Sequence, residues 1–228
     1  MISLYTAVGR FERRTNKNGQ YPIIIVNRKE YMVDIPEMLI WTCLNWRILE
    51  FSQIESLYNK MAHDAGINEQ KGYEVYLERL IQKGLIVFGV GENGHDALYA
   101  LLSNLYIIPV TSGLFVKVIA FLKFIFINRL PFSKAKTVFQ NEKLSGSAKR
   151  VINLAKQTQL STAELIKCVE TGVYDLSDEN KVMSALYDDD ITTCDNIGCY
   201  AKNFREQRLV LETVANLYLK KIIIFERL

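Results

Sequence analysis

The chain has 228 residues, 49% hydrophobic and 23% charged, with a net charge of +3. This excludes a disordered or fibrous chain and allows one large domain or two of about 100 residues each. Two histidines and four cysteines leave little raw material for metal or nucleophile chemistry, so a non-enzyme is expected, with no cofactor, no metal and no catalytic residue.

Residues 21–26 are Ile-rich, and 30–33 follow after Asn27-Arg28-Lys29, which predicts a hairpin. Asp34 stands three residues before Glu37, a capping-box spacing. Met38, Ile40, Trp41, Leu44 and Trp46 then carry a helical pattern to about Leu49. Ser52 and Glu55 repeat the spacing before a second helix with Ile54, Leu57, Tyr58 and Met61. A third helix is expected over 69–83, with Tyr73, Tyr76, Leu77 and Leu80 inward, stopped by Gly84 and followed by a strand at 85–88. The run Gly89-Val90-Gly91-Glu92-Asn93-Gly94 spells G-x-G-x-x-G, but no βαβ unit follows it, and turn chemistry is the better reading. Residues 95–102 read helical and 106–110 extended.

From Leu114 to Ile127 the chain reads LFVKVIAFLKFIFI, interrupted by Lys117 and Lys123. A membrane span needs about 20 residues, so a buried or dimerising helix is expected here, giving a homodimer and no transmembrane span. The first residues lack a basic start followed by an apolar run, which makes a reducing cytoplasm the expected location. Helices are expected over 148–159, from the Ser161/Glu164 capping box to about Glu170, from Ser177 to about Tyr187 and over 204–218, with a final strand at 221–225. No residue-level repeat joins the two halves.

Cys43 and Cys168 fall in apolar helical patterns and read as core, while Cys194 and Cys199 lack metal-site spacing. His63 and His95 read as surface or cap residues, and Asp188-Asp189-Asp190 as a solvated helix exit.

Hairpin, three helices and a returning strand, closed by Leu80-Ile81-Gln82-Lys83-Gly84-Leu85-Ile86, resemble a winged helix-turn-helix domain over about residues 20–110. The helical stretch at 95–102, where a second wing strand belongs, departs from that pattern. The implied fold class is α+β, mostly helical. It comprises a winged-helix-like domain at 1–109, an apolar and basic connector at 110–147, and a second, winged-helix-like domain at 148–228. The implied function is a DNA-binding transcriptional regulator. Residues 20–90, with Ile40-Trp41 near the first helix, are also similar to peptide-binding domains of the pyrroloquinoline-quinone peptide chaperone type. That resemblance implies an adaptor in which a peptide adds to the strand edge from Glu30 to Val33.

The charges are segregated. Residues 1–109 carry 11 basic and 12 acidic side chains, 110–158 carry 9 and 1, and 159–228 carry 8 and 12. A basic middle is the electrostatic footprint of phosphate binding. Double-stranded DNA is therefore the expected partner, met by Lys134, Lys136, Lys143, Lys149 and Arg150. Gln70, Lys71, Arg79 and Gln82 would face base edges, although Glu69, Glu74 and Glu78 share that helix.

Overall fold

A computed structural model describes residues 1–16, 19–67, 72–110, 144–189, 191–194, 196–200 and 204–227. Within them the protein is α+β, with eight α-helices and three small antiparallel sheets. The strands are β1 (Ile2–Ala7), β2 (Arg10–Asn16), β3 (Gly19–Val26), β4 (Lys29–Met32), β5 (Leu49–Glu50), β6 (Ile86–Gly91), β7 (Tyr106–Pro109), β8 (Leu160–Ser161) and β9 (Ile223–Glu226). The helices are α1 (Ile35–Leu44), α2 (Phe51–Asp64), α3 (Tyr73–Gln82), α4 (Gly94–Leu102), α5 (Gly146–Gln157), α6 (Thr162–Glu170), α7 (Glu179–Leu186) and α8 (Phe204–Leu219). No helix among the described residues is long and apolar enough to cross a membrane. The run from Leu114 to Ile127 lies outside those residues.

The hairpin forms as β3 and β4, turning on Asn27 and Arg28, both at left-handed φ (45° and 62°), as a two-residue hairpin turn requires. Two earlier strands, β1 and β2, precede it. The composition of β2, RFERRTN, gave no apolar alternation to read. Asp34 caps α1 through the expected box, accepting the Glu37 N–H at 2.8 Å. The helix stops at Leu44, short of Leu49, because Trp46 takes a left-handed φ of 56° and Leu49–Glu50 is drawn into a sheet. The second helix starts earlier than expected: Glu50 and Gln53, in place of Ser52 and Glu55, form its capping box. The Ser161/Glu164 box opens α6 as expected, whereas α7 is capped by Asp178 rather than Ser177.

The sheets run β5-β1-β6, β2-β3-β4 and β8-β7-β9. In the first and third, a strand lying N-terminal to the helices sits in the middle. The strand at 106–109, assigned from sequence to the first half, pairs with β8 and β9 and so belongs to the sheet of the second.

The registers reveal a repeat. Tyr5 opposes Leu49 and Phe88, as Ile107 opposes Leu160 and Phe225. The Val8 N–H donates to Leu85 O as the Val110 N–H donates to Ile222 O. From the caps Asp34 and Ser145 onward the correspondence has no insertion through Glu50 and Ser161. Ile40, Trp41, Cys43 and Leu44 match Val151, Ile152, Leu154 and Ala155, all buried. The ends of α3 and α8 match as well. Gly84 (φ 71°) and Lys221 (φ 61°) take the same left-handed turn, and Leu85 and Ile222 donate back to Leu80 and Leu217 at 2.9 Å.

One core joins the two repeats. At the seam the buried Tyr218 hydroxyl accepts the Trp46 N–H at 2.9 Å and lies 3.1 Å from Thr6 Oγ1. The carbonyls of Ala7 and Leu44, at 3.2 and 3.3 Å, compete for its proton. Burial pushes this phenol up to about 12. Trp46 Nε1 donates to Ile223 O at 3.3 Å, and Gly9 N donates to Phe225 O at 2.8 Å. Tyr218→Phe strands the Trp46 N–H and should destabilise the fold by about 1–3 kcal/mol, read as a lowered midpoint in urea.

Gly89 and Gly91 are packing residues, not only turn residues. Helix α4 lies so close to β6 that a Cβ on Gly89 would fall on Ala97 O and stand 2.6 Å from the Leu101 Cα. A Cβ on Gly91 would meet the backbone of Asp96 and Ala97. Asn93 then caps α4, accepting the N–H groups of His95 and Asp96 at 2.9 and 3.0 Å.

Candidate functional site

Of the residues expected to meet DNA, Gln70, Lys71, Lys134, Lys136 and Lys143 lie outside the described residues. Arg79 and Gln82 are on α3, but Glu74 and Glu78 are exposed beside Arg79, whose guanidinium lies 5.8 Å from the Tyr76 ring centroid. With two carboxylates against one guanidinium, this described stretch offers no positive field.

The second helix-borne group is different. Ser145 caps α5, accepting the Ala148 N–H at 3.2 Å, and the apolar residues Ala148, Val151, Ile152, Leu154 and Ala155 turn one face into the core. That periodicity leaves Lys149, Asn153, Lys156 and Gln157 exposed on the opposite side. Lys149, Asn153 and Lys156 follow the i, i+4, i+7 spacing of a single helical stripe. At 1.5 Å rise per residue the two lysines stand about 10 Å apart along the axis.

This stripe forms a wall of an open cleft of about 550 Å³, whose lining includes Lys149, Arg150, Asn153, Lys156, Gln157 and Tyr174, with no carboxylate among the described residues. Arg150 has a fixed task. Its Nη2 donates to Cys168 O and Val173 O, both at 2.9 Å, and its guanidinium carbon lies 4.0 Å from the Tyr174 ring centroid. Gln157 donates to Tyr174 O at 3.3 Å and accepts the Leu176 N–H at 2.6 Å. The two side chains strap the loop after α6 to α5, so that Tyr174, 68% exposed, is displayed as a fixed aromatic surface. Arg150, expected from sequence as a phosphate contact, therefore acts first as the support of this platform.

Lys156 belonged to the basic segment by charge alone; its spacing from Lys149 was the signal that placed it on the same face. Tyr174 left no such signal, because a loop after one helix meets the preceding helix only in three dimensions.

The remaining reactive groups divide between buried structure and open surface. Cys43 and Cys168 are buried, and desolvation pushes their thiols up to about 11 and about 12, where no thiolate forms at neutral pH. Cys194 is exposed. His63 faces solvent 3.7 Å from Asp64, and His95 Nε2 lies 3.0 Å from Gln207. Asp189 accepts the Ile191 N–H at 3.0 Å and the Thr192 hydroxyl at 2.8 Å, closing a turn.

No family model, curated protein or solved structure matches this chain. Its function therefore rests on its own geometry.

Proposed function

We propose that the protein is a DNA-binding transcriptional regulator with no catalytic activity, and that the cleft on α5 grips the duplex backbone. The carrying observation is the cleft's lining: Lys149 and Lys156 on one stripe beside an exposed Tyr174, with no carboxylate lining the cleft among the described residues. Lysines of this spacing neutralise phosphates and release counterions, while a displayed aromatic offers a face to a sugar or base. The basic segment ahead of α5, with Lys134, Lys136 and Lys143, extends the same charge in sequence.

In this reading each repeat is a winged helix whose returning wing strand comes from the N-terminal side, β1 in the first and β7 in the second. The shared order of helix, short strand, helices and strand supports it, with two helices (α2 and α3) before the last strand in the first repeat and three (α6, α7 and α8) in the second, as does the matched register of β5-β1-β6 and β8-β7-β9. Polyanion affinity then belongs to the second repeat, because the outer face of α3 is electrically mixed. Fluorescence anisotropy on a random 20-base-pair duplex should show binding whose log K falls against log salt with a slope of about −2 or steeper. Absent or salt-insensitive binding overturns the proposal.

A second reading, peptide docking at β4, is favoured by one observation. Among the described residues β4 pairs only with β3, and Met32 and Ile35 beside its open edge are 71% and 65% exposed.

A further inference from the structure

A second cavity, of about 320 Å³, opens between α5, α8 and the loop that carries Tyr174, sharing Gly146, Arg150 and Tyr174 with the basic cleft. Val151, Val169, Leu209 and Val210 give it an apolar lining, and Ser147 and Thr213, hydrogen-bonded at 3.3 Å, add hydroxyls. Arg150 and Glu206 bring opposite charges to the same space without forming an ion pair with each other. Arg150 Nε is, moreover, buried with no hydrogen-bond partner among the described residues, a donor that costs stability until an acceptor reaches it.

The repeat shows that the fold does not require this space. Counting from the matched turns at Gly84 and Lys221, Tyr76 stands in the first repeat where Thr213 stands in the second. Counting from the caps Asp34 and Ser145, Leu39 stands where Arg150 does. Tyr76 and Leu39 both pack against the core. The second repeat has a hydroxyl and a guanidinium where the first has two bulky packing side chains.

We propose that this cavity binds a free apolar α-amino acid, with its carboxylate on Arg150, its ammonium on Glu206 and its side chain on the valines. The size lies at the lower end of small-molecule sites, roughly 300–1,000 Å³, as suits a ligand of this class. Because Arg150 also supports Tyr174, a carboxylate on its guanidinium neutralises one cation of the cleft and loosens the aromatic platform. The amino acid is thus a negative effector of polyanion binding. This regulatory half rests on the DNA-binding reading above; the ligand site does not.

Titration calorimetry of the full chain with L-leucine, L-valine and L-phenylalanine tests the site directly. Saturable binding of at least one is expected, with affinity about tenfold or more weaker for leucinamide and for 4-methylpentanoate, each of which lacks one charge. Glu206→Gln should weaken the amino acid by a similar factor and leave 4-methylpentanoate unchanged. Thr213→Tyr, which installs the side chain of the first repeat, should abolish binding while the circular dichroism spectrum stays unchanged; if that variant misfolds, Glu206→Gln decides. No saturable binding of any of the three at millimolar concentration, or equal binding of leucinamide, overturns the proposal. Repeating the duplex titration with saturating amino acid should weaken DNA binding about fivefold or more. A ligand that binds a protein with no DNA affinity keeps the site and removes the regulator; DNA binding without amino-acid binding does the reverse.

Discussion

Gly89→Ala should lower the thermal midpoint by roughly 6–12 °C. The added methyl meets Ala97 O and the Leu101 backbone, atoms that no rotamer change can move, so α4 must shift off the sheet. Overpacking costs about 1–3 kcal/mol, with the upper end applying where the atoms met are fixed backbone, and a chain of this size loses about 2–4 °C per kcal/mol. Gly94→Ala is the matched control. It lies in the same glycine-rich run, with nothing within 4 Å of its added Cβ, and it starts α4, where Ala is a better helix former. If both variants melt at the wild-type temperature, the close approach of α4 to β6 is not a source of stability.

Lys149→Glu combined with Lys156→Glu should weaken duplex binding by about 10²-fold at low salt and flatten the salt slope by about 2, one unit for each phosphate left without its lysine. Both lysines are exposed and make no ion pair among the described residues, so the melting temperature should hold within about a degree or two. An unchanged affinity would move the polyanion site off α5. Binding of a peptide at the β4 edge should be indifferent to the same double substitution, which separates the two readings in a single protein preparation.

The local rules of the chain were legible where a side chain carried its own signal. Asp34 with Glu37, and Ser161 with Glu164, opened helices where their spacing placed them, and the apolar positions of α5 and α8 became core. Elsewhere the fold used residues against type. Glu50 serves as an N-cap, a role that Ser, Thr, Asp and Asn usually take, so the neighbouring Ser52 looked the better candidate. Lys221 occupies the left-handed turn that Gly84 announces openly in the first half. With Gly84 matched to Lys221, Glu50 to Ser161 and Tyr5 to Ile107, the repeat is invisible to residue identity and plain in hydrogen bonds. The cleft was half legible. Its charge could be counted and Lys149 named, but the carbonyls that hold Arg150 and the ring that covers it come from the end of α6 and the loop after it, some twenty residues away.

The middle strands β1 and β7 set an order of events during synthesis. Each leaves the ribosome before either of its neighbours exists, and β1 holds most of its hydrogen bonds with β6, which follows three further helices. Such non-local pairing is slow, because the loop must close before the pairing rewards it. Until Ile223–Glu226 emerges, β7 has only the two-residue β8 to pair with, and the seam lacks the carbonyls of Ile223 and Phe225 that accept from Trp46 and Gly9. The nascent chain therefore exposes apolar strand edges for most of its synthesis, and pulse-labelled ribosome-bound intermediates should be the forms that chaperones retain longest.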